Sequence, residues 1–232
     1  SAEDLWLVAK KQLDIVYKYL QPNGLIDYET ASREWWVFFD WRDGLHKEVA
    51  LQGFSIFALQ ETYELAKLLG KEKELADIPS KVKKMKAAAH KSYYDKNSGF
   101  FIGKLNPQIS YVSQIWMTLG GVATHSEAAR ALMALPKTEN VVRTGAPYAY
   151  HYYIQALLDC GLHTEARQAL SDYWGDMITR GADTFWEVYS PTEDKLSPYG
   201  FFPINSYCHA WSCTPVYFIR KYTDIFQNPK IR

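Results

Sequence analysis

Apolar residues recur at helical spacing along most of the chain. In the first twenty residues this spacing is kept by Leu5, Val8, Ala9, Leu13, Val16 and Leu20. The first helix is predicted to end at the breaker cluster Gln-Pro-Asn-Gly at residues 21–24. Further helices are predicted over residues 48–70, 79–94, 109–120, 125–135, 147–160, 164–178 and 206–222. The pattern therefore predicts about eight helices, most of them paired through short turns.

Residues that commonly begin or end helices support these boundaries. Gly70 stands where a glycine commonly ends a helix, and Pro79 stands where a proline commonly begins one. The turn at residues 94–101 resembles the one at 19–26, since each combines a helix end, a polar turn with Asn and Gly, and an apolar pair. This echo is too irregular for a fixed-period solenoid.

Neither a series of strands nor a strand–helix alternation is visible in the sequence. Paired helices with long loops on one side favour an all-α fold, an (α/α)6 toroid or a partial one built of antiparallel helix pairs. A complete toroid has about twelve helices. We therefore expect residues 1–232 to be a single α/α-barrel-like domain, and the abrupt start inside a helical pattern indicates a piece of a longer protein.

Two loops collect aromatic and acidic residues outside any helical period. The first, at 24–44, is rich in Trp and contains the Phe-Asp-Trp triplet at 39–41. The second, at 181–206, contains Phe-Trp-Glu-Val-Tyr at 185–189, and Cys-His-Ala-Trp follows it at 208–211. Loops on a rigid scaffold often carry binding and catalytic residues. We predict that both loops lie on one face and share a site.

The chemistry of the second loop suits a carbohydrate. A carboxylate between Phe and Trp is poorly solvated, and desolvation raises the pKa of a carboxyl group toward neutrality, where proton transfer is efficient. Trp and Tyr faces are good platforms for the apolar side of a sugar ring. The alternative is that these aromatic residues are simply core, with Glu187 at its rim, because short motifs carry a false-positive risk.

The composition of the chain argues against several classes of function. The chain is 47% hydrophobic and 16% aromatic, and its 26 basic and 26 acidic residues give a net charge of zero. This balance lacks the basic footprint of a nucleic-acid binder, and no apolar run is long enough to span a membrane. The histidines and three cysteines show no metal-ligand spacing, so we expect no metal and no cofactor. A Gly-x-Ser-x-Gly nucleophile elbow is also absent from the sequence.

Two motifs resemble a known family when taken together. They are Thr-Phe-Trp-Glu at residues 184–187 and His-Ala-Trp-Ser at 209–212. They resemble the C-terminal part of the catalytic domain of the α-L-rhamnosidases of glycoside hydrolase family 78. The Phe-Asp-Trp triplet at 39–41 is similar to the Asp-Trp loop of that family, and residues 146–177 resemble the helix pair that leads to its base motif. The resemblance covers most of the chain.

The resemblance implies an (α/α)6 barrel that hydrolyses terminal α-L-rhamnosides with inversion. Glu187 would be the general base, and a rhamnose-containing glycan or glycoside would be the substrate. The residues expected to contact the sugar are Trp36, Asp40, Trp41, Trp186, His209 and Trp211.

The chain departs from the family pattern in one respect. The family carries its general acid in an acidic segment upstream of this region, and no such segment precedes Asp40 here. Inverting hydrolysis needs two carboxyl groups. The chain is therefore expected to hold the base without the acid. Alternatively, Glu34, Asp40 or Asp43 substitutes for the missing acid.

Two other function classes stay open at this point. One is a carbohydrate-binding α/α-barrel fragment without turnover, which would differ from an enzyme in lacking a second carboxyl group that faces Glu187. The other is a helical interaction scaffold, which gives no reason for Trp-rich loops and is disfavoured for that reason.

Overall fold

The computed structural model describes residues 1–193 and 195–227. Asp194, in the second aromatic loop, and residues 228–232 of the expected domain lie outside the described part. The helices are α1 Ala2–Tyr19, α2 Tyr28–Glu34, α3 Glu48–Leu68, α4 Ile78–Tyr93, α5 Tyr111–Leu119, α6 His125–Ala134, α7 Pro147–Asp159, α8 His163–Thr179, α9 Thr214–Lys221 and α10 Thr223–Phe226. The strands are β1 Tyr94–Asp95 and β2 Phe100–Phe101, which form an antiparallel hairpin. None of the helices in the described residues is long and apolar enough to cross a membrane.

The chain divides into two compact units. The first comprises residues 1–37, 46–109 and 113–131, and the second comprises residues 38–45, 110–112 and those from 132 onward. The expectation of a single domain over the whole chain stays a prediction.

In the first unit, α3 packs against α1 and α4. The face of α1 that is buried carries Trp6, Leu13 and Val16, whereas Leu5 and Val8 of the predicted apolar face are exposed. The buried face is rotated relative to the predicted one, because it includes the large indole of Trp6. The apolar pattern had not included that residue. The Trp6 indole also donates a hydrogen bond to Glu74 Oε2 at 3.3 Å.

The two similar turns of the sequence are held in the same way. Gln52 on α3 accepts from the Ile26 amide at 2.7 Å and donates to the Gly24 carbonyl at 3.0 Å. Gln114 on α5 accepts from the Phe101 amide at 2.9 Å and donates to its carbonyl at 2.8 Å. In both cases a buried glutamine satisfies the backbone of a turn that follows an earlier helix, which gives the sequence echo a structural basis.

Two predicted boundaries are wrong. Residues 28–34 of the first aromatic loop form helix α2, because Asp27 caps it by accepting from the Thr30 amide at 3.1 Å. The last long helix begins at Thr214 and not at residue 206, since the segment before it forms short 3-10 turns and irregular backbone. Pro215, in the first turn of α9, suits this start.

In the second unit, α7 packs against α8. Side chains of α8 also fix the segment that carries the two sequence motifs. The Trp174 indole donates to the Ser212 carbonyl at 3.0 Å, and the Tyr173 hydroxyl donates to the Tyr189 carbonyl at 2.8 Å. Both aromatic residues are buried. Residues 189 and 212, one near each motif, are therefore attached to α8.

Candidate active site

Glu187 lies in an irregular pairing of two backbone segments of the second unit. Its amide donates to the Ser206 carbonyl at 2.9 Å, and the His209 amide donates to the Phe185 carbonyl at 2.6 Å. The hydroxyl of Thr184 donates to the carbonyl of Tyr207. The Thr-Phe-Trp-Glu and His-Ala-Trp-Ser motifs are thus neighbours in space.

The carboxylate of Glu187 is buried, at 4% exposure. Its Oε1 accepts a hydrogen bond from the Tyr199 hydroxyl at 2.6 Å, and its Oε2 accepts from the Ser206 amide at 3.1 Å. Both oxygens are therefore held by donors, as a buried carboxylate requires. The orientation of the group is set before any ligand arrives.

Trp211 links Glu187 to His209. Its indole N–H donates to the Glu187 carbonyl at 2.9 Å, and its ring stacks on the His209 imidazole with centroids 4.1 Å apart. The backbone amide of Trp211 also donates to His209 Nδ1 at 3.4 Å. In a neutral imidazole, accepting at Nδ1 leaves the hydrogen on Nε2, where it can be donated to a ligand.

Five aromatic residues lie around Glu187 and Trp211 or are in ring contact with them. We call these five residues the aromatic enclosure: Phe38, Trp41, Tyr148, Tyr199 and Trp211. Phe38 stacks on Trp211 at 5.9 Å with an interplanar angle of 9°, and it meets Trp41 edge-on at 4.8 Å. Tyr148 lies 5.5 Å from Trp211. Trp41 lies 5.9 Å from Tyr199 and 6.4 Å from Trp211. The enclosure is drawn from three separate segments of the second unit.

Asp40 precedes Trp41 in the enclosure and is a second buried carboxylate, at 3% exposure. Its Oδ2 accepts from the Gly145 amide at 2.8 Å and its Oδ1 from the Trp41 amide at 2.6 Å. Burial raises the pKa of Asp40 to about 7, against the lowering effect of these amide donors. Asp40 thus joins the Trp41 loop to the residues just before α7. Its predicted contact with a sugar hydroxyl stays a prediction.

Trp186 has different neighbours from Glu187. Its ring meets Tyr207 edge-on at 5.7 Å, and both line a cavity of about 210 Å³ together with Tyr189 and Phe202. Neither Glu187 nor Trp211 lines that cavity. Trp186 therefore lines a cavity that Trp211 does not line, although the sequence had grouped the two indoles at one site.

Of the other predicted sugar contacts, Trp41, His209 and Trp211 are brought together around Glu187. Trp36 belongs to the first unit and is 72% exposed. Sequence reasoning missed Phe38, Tyr148 and Tyr199. Tyr199 stands in a Ser-Pro-Tyr-Gly turn within the second aromatic loop, and this turn signal is what could have drawn attention to it.

No metal site accompanies this arrangement. Within residues 1–193 and 195–227, no group of three or more His, Cys, Asp or Glu side chains could hold a metal ion.

The chain was compared with known proteins. Residues 6–223 match the sequence model of the bacterial alpha-L-rhamnosidase 6 hairpin glycosidase domain. A solved rhamnosidase from Klebsiella oxytoca with rhamnose bound is 40% identical, with a TM-score of 0.88 over 95% of this chain and 42% of that one. A GH78 family rhamnosidase of Bacillus sp. GL1 is 22% identical, with a TM-score of 0.79 over 95% of this chain and 24% of that one. A search of curated proteins found no match.

These matches confirm two predictions. The fold class is the predicted all-α toroid of helix pairs or part of one, and the resemblance to the family 78 rhamnosidases is real. The chain spans less than half the length of either solved relative. The chain belongs to the bacterial alpha-L-rhamnosidase six-hairpin glycosidase family.

Proposed function

We propose that this chain is part of a glycoside hydrolase that cleaves terminal α-L-rhamnosides with inversion of configuration. Glu187 acts as the general base in this proposal. The observation that carries it is the buried Glu187 carboxylate, oriented by two donors beside an aromatic enclosure. Family membership and the rhamnose bound to the Klebsiella relative support a rhamnoside as the substrate.

The base has a defined task. It removes a proton from the water that attacks the anomeric carbon, while a second carboxyl group protonates the departing oxygen. A base must stand within hydrogen-bond reach of that water, and a carboxylate has about four lone-pair sites. Each Glu187 oxygen therefore has a lone-pair site left for water after accepting one protein donor.

The sugar would be recognised by the neighbours of Glu187. Trp41 and Trp211 offer faces for the apolar side of the ring, and His209 offers an N–H to a hydroxyl group. Asp40 and Trp186 also remain candidate sugar contacts, as does Trp36. They are weaker candidates than Trp41, His209 and Trp211. Both carboxylate oxygens of Asp40 already accept from backbone amides, and Trp186 lines a different cavity.

The general acid is proposed to come from sequence outside these 232 residues. The described part of the second unit offers Asp40 as its other buried carboxylate in the segments around Glu187, and both of its oxygens already accept from backbone amides. More than half of the Klebsiella relative lies outside the matched region. The isolated chain should accordingly hydrolyse aryl α-L-rhamnosides very slowly or not at all.

The proposal is tested with Glu187→Gln in the longer protein that contains this chain. We expect kcat on an aryl α-L-rhamnoside to fall by about 10²–10⁴-fold, because glutamine keeps the shape but cannot take a proton. The dissociation constant for rhamnose, followed by tryptophan fluorescence, should change little. Glu61→Gln is the matched control, since Glu61 is an exposed carboxylate on α3.

Three results would count against the proposal. Undiminished turnover by Glu187→Gln would overturn the base assignment. Rhamnose binding without any hydrolysis by the unaltered longer protein would favour the carbohydrate-binding alternative. Brisk turnover by the isolated chain would place the acid among its own carboxyl groups.

A further inference from the structure

We infer that Tyr199 is a positioning residue for the proposed base. This inference rests on the proposed function of Glu187. Tyr199 donates its hydroxyl hydrogen to Glu187 Oε1 at 2.6 Å, a distance usual for an O–H···O hydrogen bond to a carboxylate. Neither the family match nor the motifs of the sequence assign a role to this tyrosine.

The exposure of the two partners differs. Glu187 is 4% exposed, whereas Tyr199 is 46% exposed, so the tyrosine is open to solvent and the glutamate is not. Its ring also lies 5.9 Å from that of Trp41 in the aromatic enclosure. One side chain therefore contacts the base with its hydroxyl and the enclosure with its ring.

The turn that carries Tyr199 is anchored. Asn205, 6% exposed, donates from its side-chain amide to the Leu196 carbonyl at 2.8 Å, which closes the segment on both sides of Tyr199. The Tyr199 amide donates to Ser197 Oγ at 3.2 Å. A hydroxyl presented by a closed turn is preorganised, and such donors hold a catalytic group in its working orientation.

The hydrogen bond also affects charge. The pKa of Tyr199 is raised, first by its hydrogen bond to Glu187 and then by desolvation and the charge of that carboxylate, so the phenol stays protonated and remains a donor. A phenol that remains a donor keeps the Glu187 carboxylate in one orientation. Tyr199 would thus hold the base in position.

The test is Tyr199→Phe in the longer protein, which removes the hydroxyl and keeps the ring. We expect kcat on an aryl α-L-rhamnoside to fall about tenfold with KM little changed, as for loss of one hydrogen bond to a charged group. Tyr63→Phe is the control, because Tyr63 lies on α3 in the first unit, and it should leave kcat unchanged.

A double-mutant cycle separates this inference from the proposed function. If Tyr199 acts through Glu187, adding Tyr199→Phe to Glu187→Gln should lower kcat no further. An unchanged kcat in Tyr199→Phe, or a rise in kcat, would overturn the positioning role while Glu187→Gln still lost activity. Full turnover by Glu187→Gln would instead overturn the proposed function itself.

Discussion

At the scale of single residues, the two buried carboxylates of the second unit have different partners. Glu187 accepts one side-chain hydroxyl and one amide, and the hydroxyl belongs to a residue open to solvent. Asp40 accepts backbone amides on both oxygens and has no exposed partner among them. The first arrangement suits a group that reacts, and the second suits a group that holds two chain segments together.

Asp40 should make stability depend on pH. Its pKa is raised to about 7 in the folded protein, above the value of about 4 expected when unfolded, so the folded state holds the proton longer. Its contribution to the free energy of unfolding is therefore full below about pH 4 and is lost as pH rises to about 7. Relative to Asp40→Asn, the unaltered protein should lose on the order of 1–4 kcal/mol over this range.

Urea unfolding of the isolated chain at several pH values measures that difference. Asp43→Asn, in the same loop but exposed, is the control and should leave the pH dependence as it is. A difference between the unaltered protein and Asp40→Asn that stays flat from about pH 4 to 7 would contradict the assignment.

At the scale of elements, His151 joins α7 to α9. Its Nδ1 lies 3.1 Å from the Thr214 hydroxyl, and its ring packs against Phe218 at 4.8 Å and Tyr217 at 5.3 Å. Burial, with a smaller effect of the Lys221 charge, lowers the pKa of His151 to about 4. The imidazole is therefore neutral in the folded protein at physiological pH.

The sign of this pH effect is opposite to that of Asp40. The unfolded chain binds a proton at His151 from about pH 6.5 downward, whereas the folded chain does so only near pH 4. Stability should therefore be lost as pH falls through this window. The free energy of unfolding of His151→Asn should therefore fall by on the order of 1 kcal/mol less than that of the unaltered protein over this pH range. This figure is discounted because His151 is partly exposed and solvent screens its charge.

Thermal or urea unfolding between about pH 6.5 and 4 checks this prediction. His163→Asn, at the exposed start of α8, should keep the pH dependence of the unaltered protein. If His151→Asn and His163→Asn show the same dependence of stability on pH, His151 is not the source of the loss.

The longer helices were predictable from the sequence because they bury periodic apolar faces. Errors arose where one side chain outweighed the pattern. The large indole of Trp6 rotated the buried face of α1, and the Asp27 cap created α2 inside a segment read as loop. The echo between the two turns was visible, but the buried glutamines that explain it come from helices far along the chain. Such partners cannot be inferred from local spacing.

At the scale of the whole molecule, the site was predictable only in part. The Thr-Phe-Trp-Glu and His-Ala-Trp-Ser motifs lie close together because backbone hydrogen bonds pair their segments. Adjacent residues can have different neighbours: the Trp186 ring packs on Tyr207, whereas the Glu187 carboxylate accepts from Tyr199. Phe38, Tyr148 and Tyr199 reach the site through tertiary packing, which a motif cannot report.

The most direct test of the central claim, that Glu187 is the base of an inverting rhamnosidase, is chemical rescue of Glu187→Ala in the longer protein. Azide needs no base, so it can replace water and attack the anomeric carbon as the bond to a phenolate leaving group breaks. NMR of the product identifies its configuration. If Glu187 is that base, azide should restore turnover as the β-L-rhamnosyl azide, and NMR of the unaltered protein's reaction should show β-L-rhamnose released first; a retaining nucleophile would give the same azide but release α-L-rhamnose. Release of α-L-rhamnose, an α-L-rhamnosyl azide, or no rescue at all would contradict the claim.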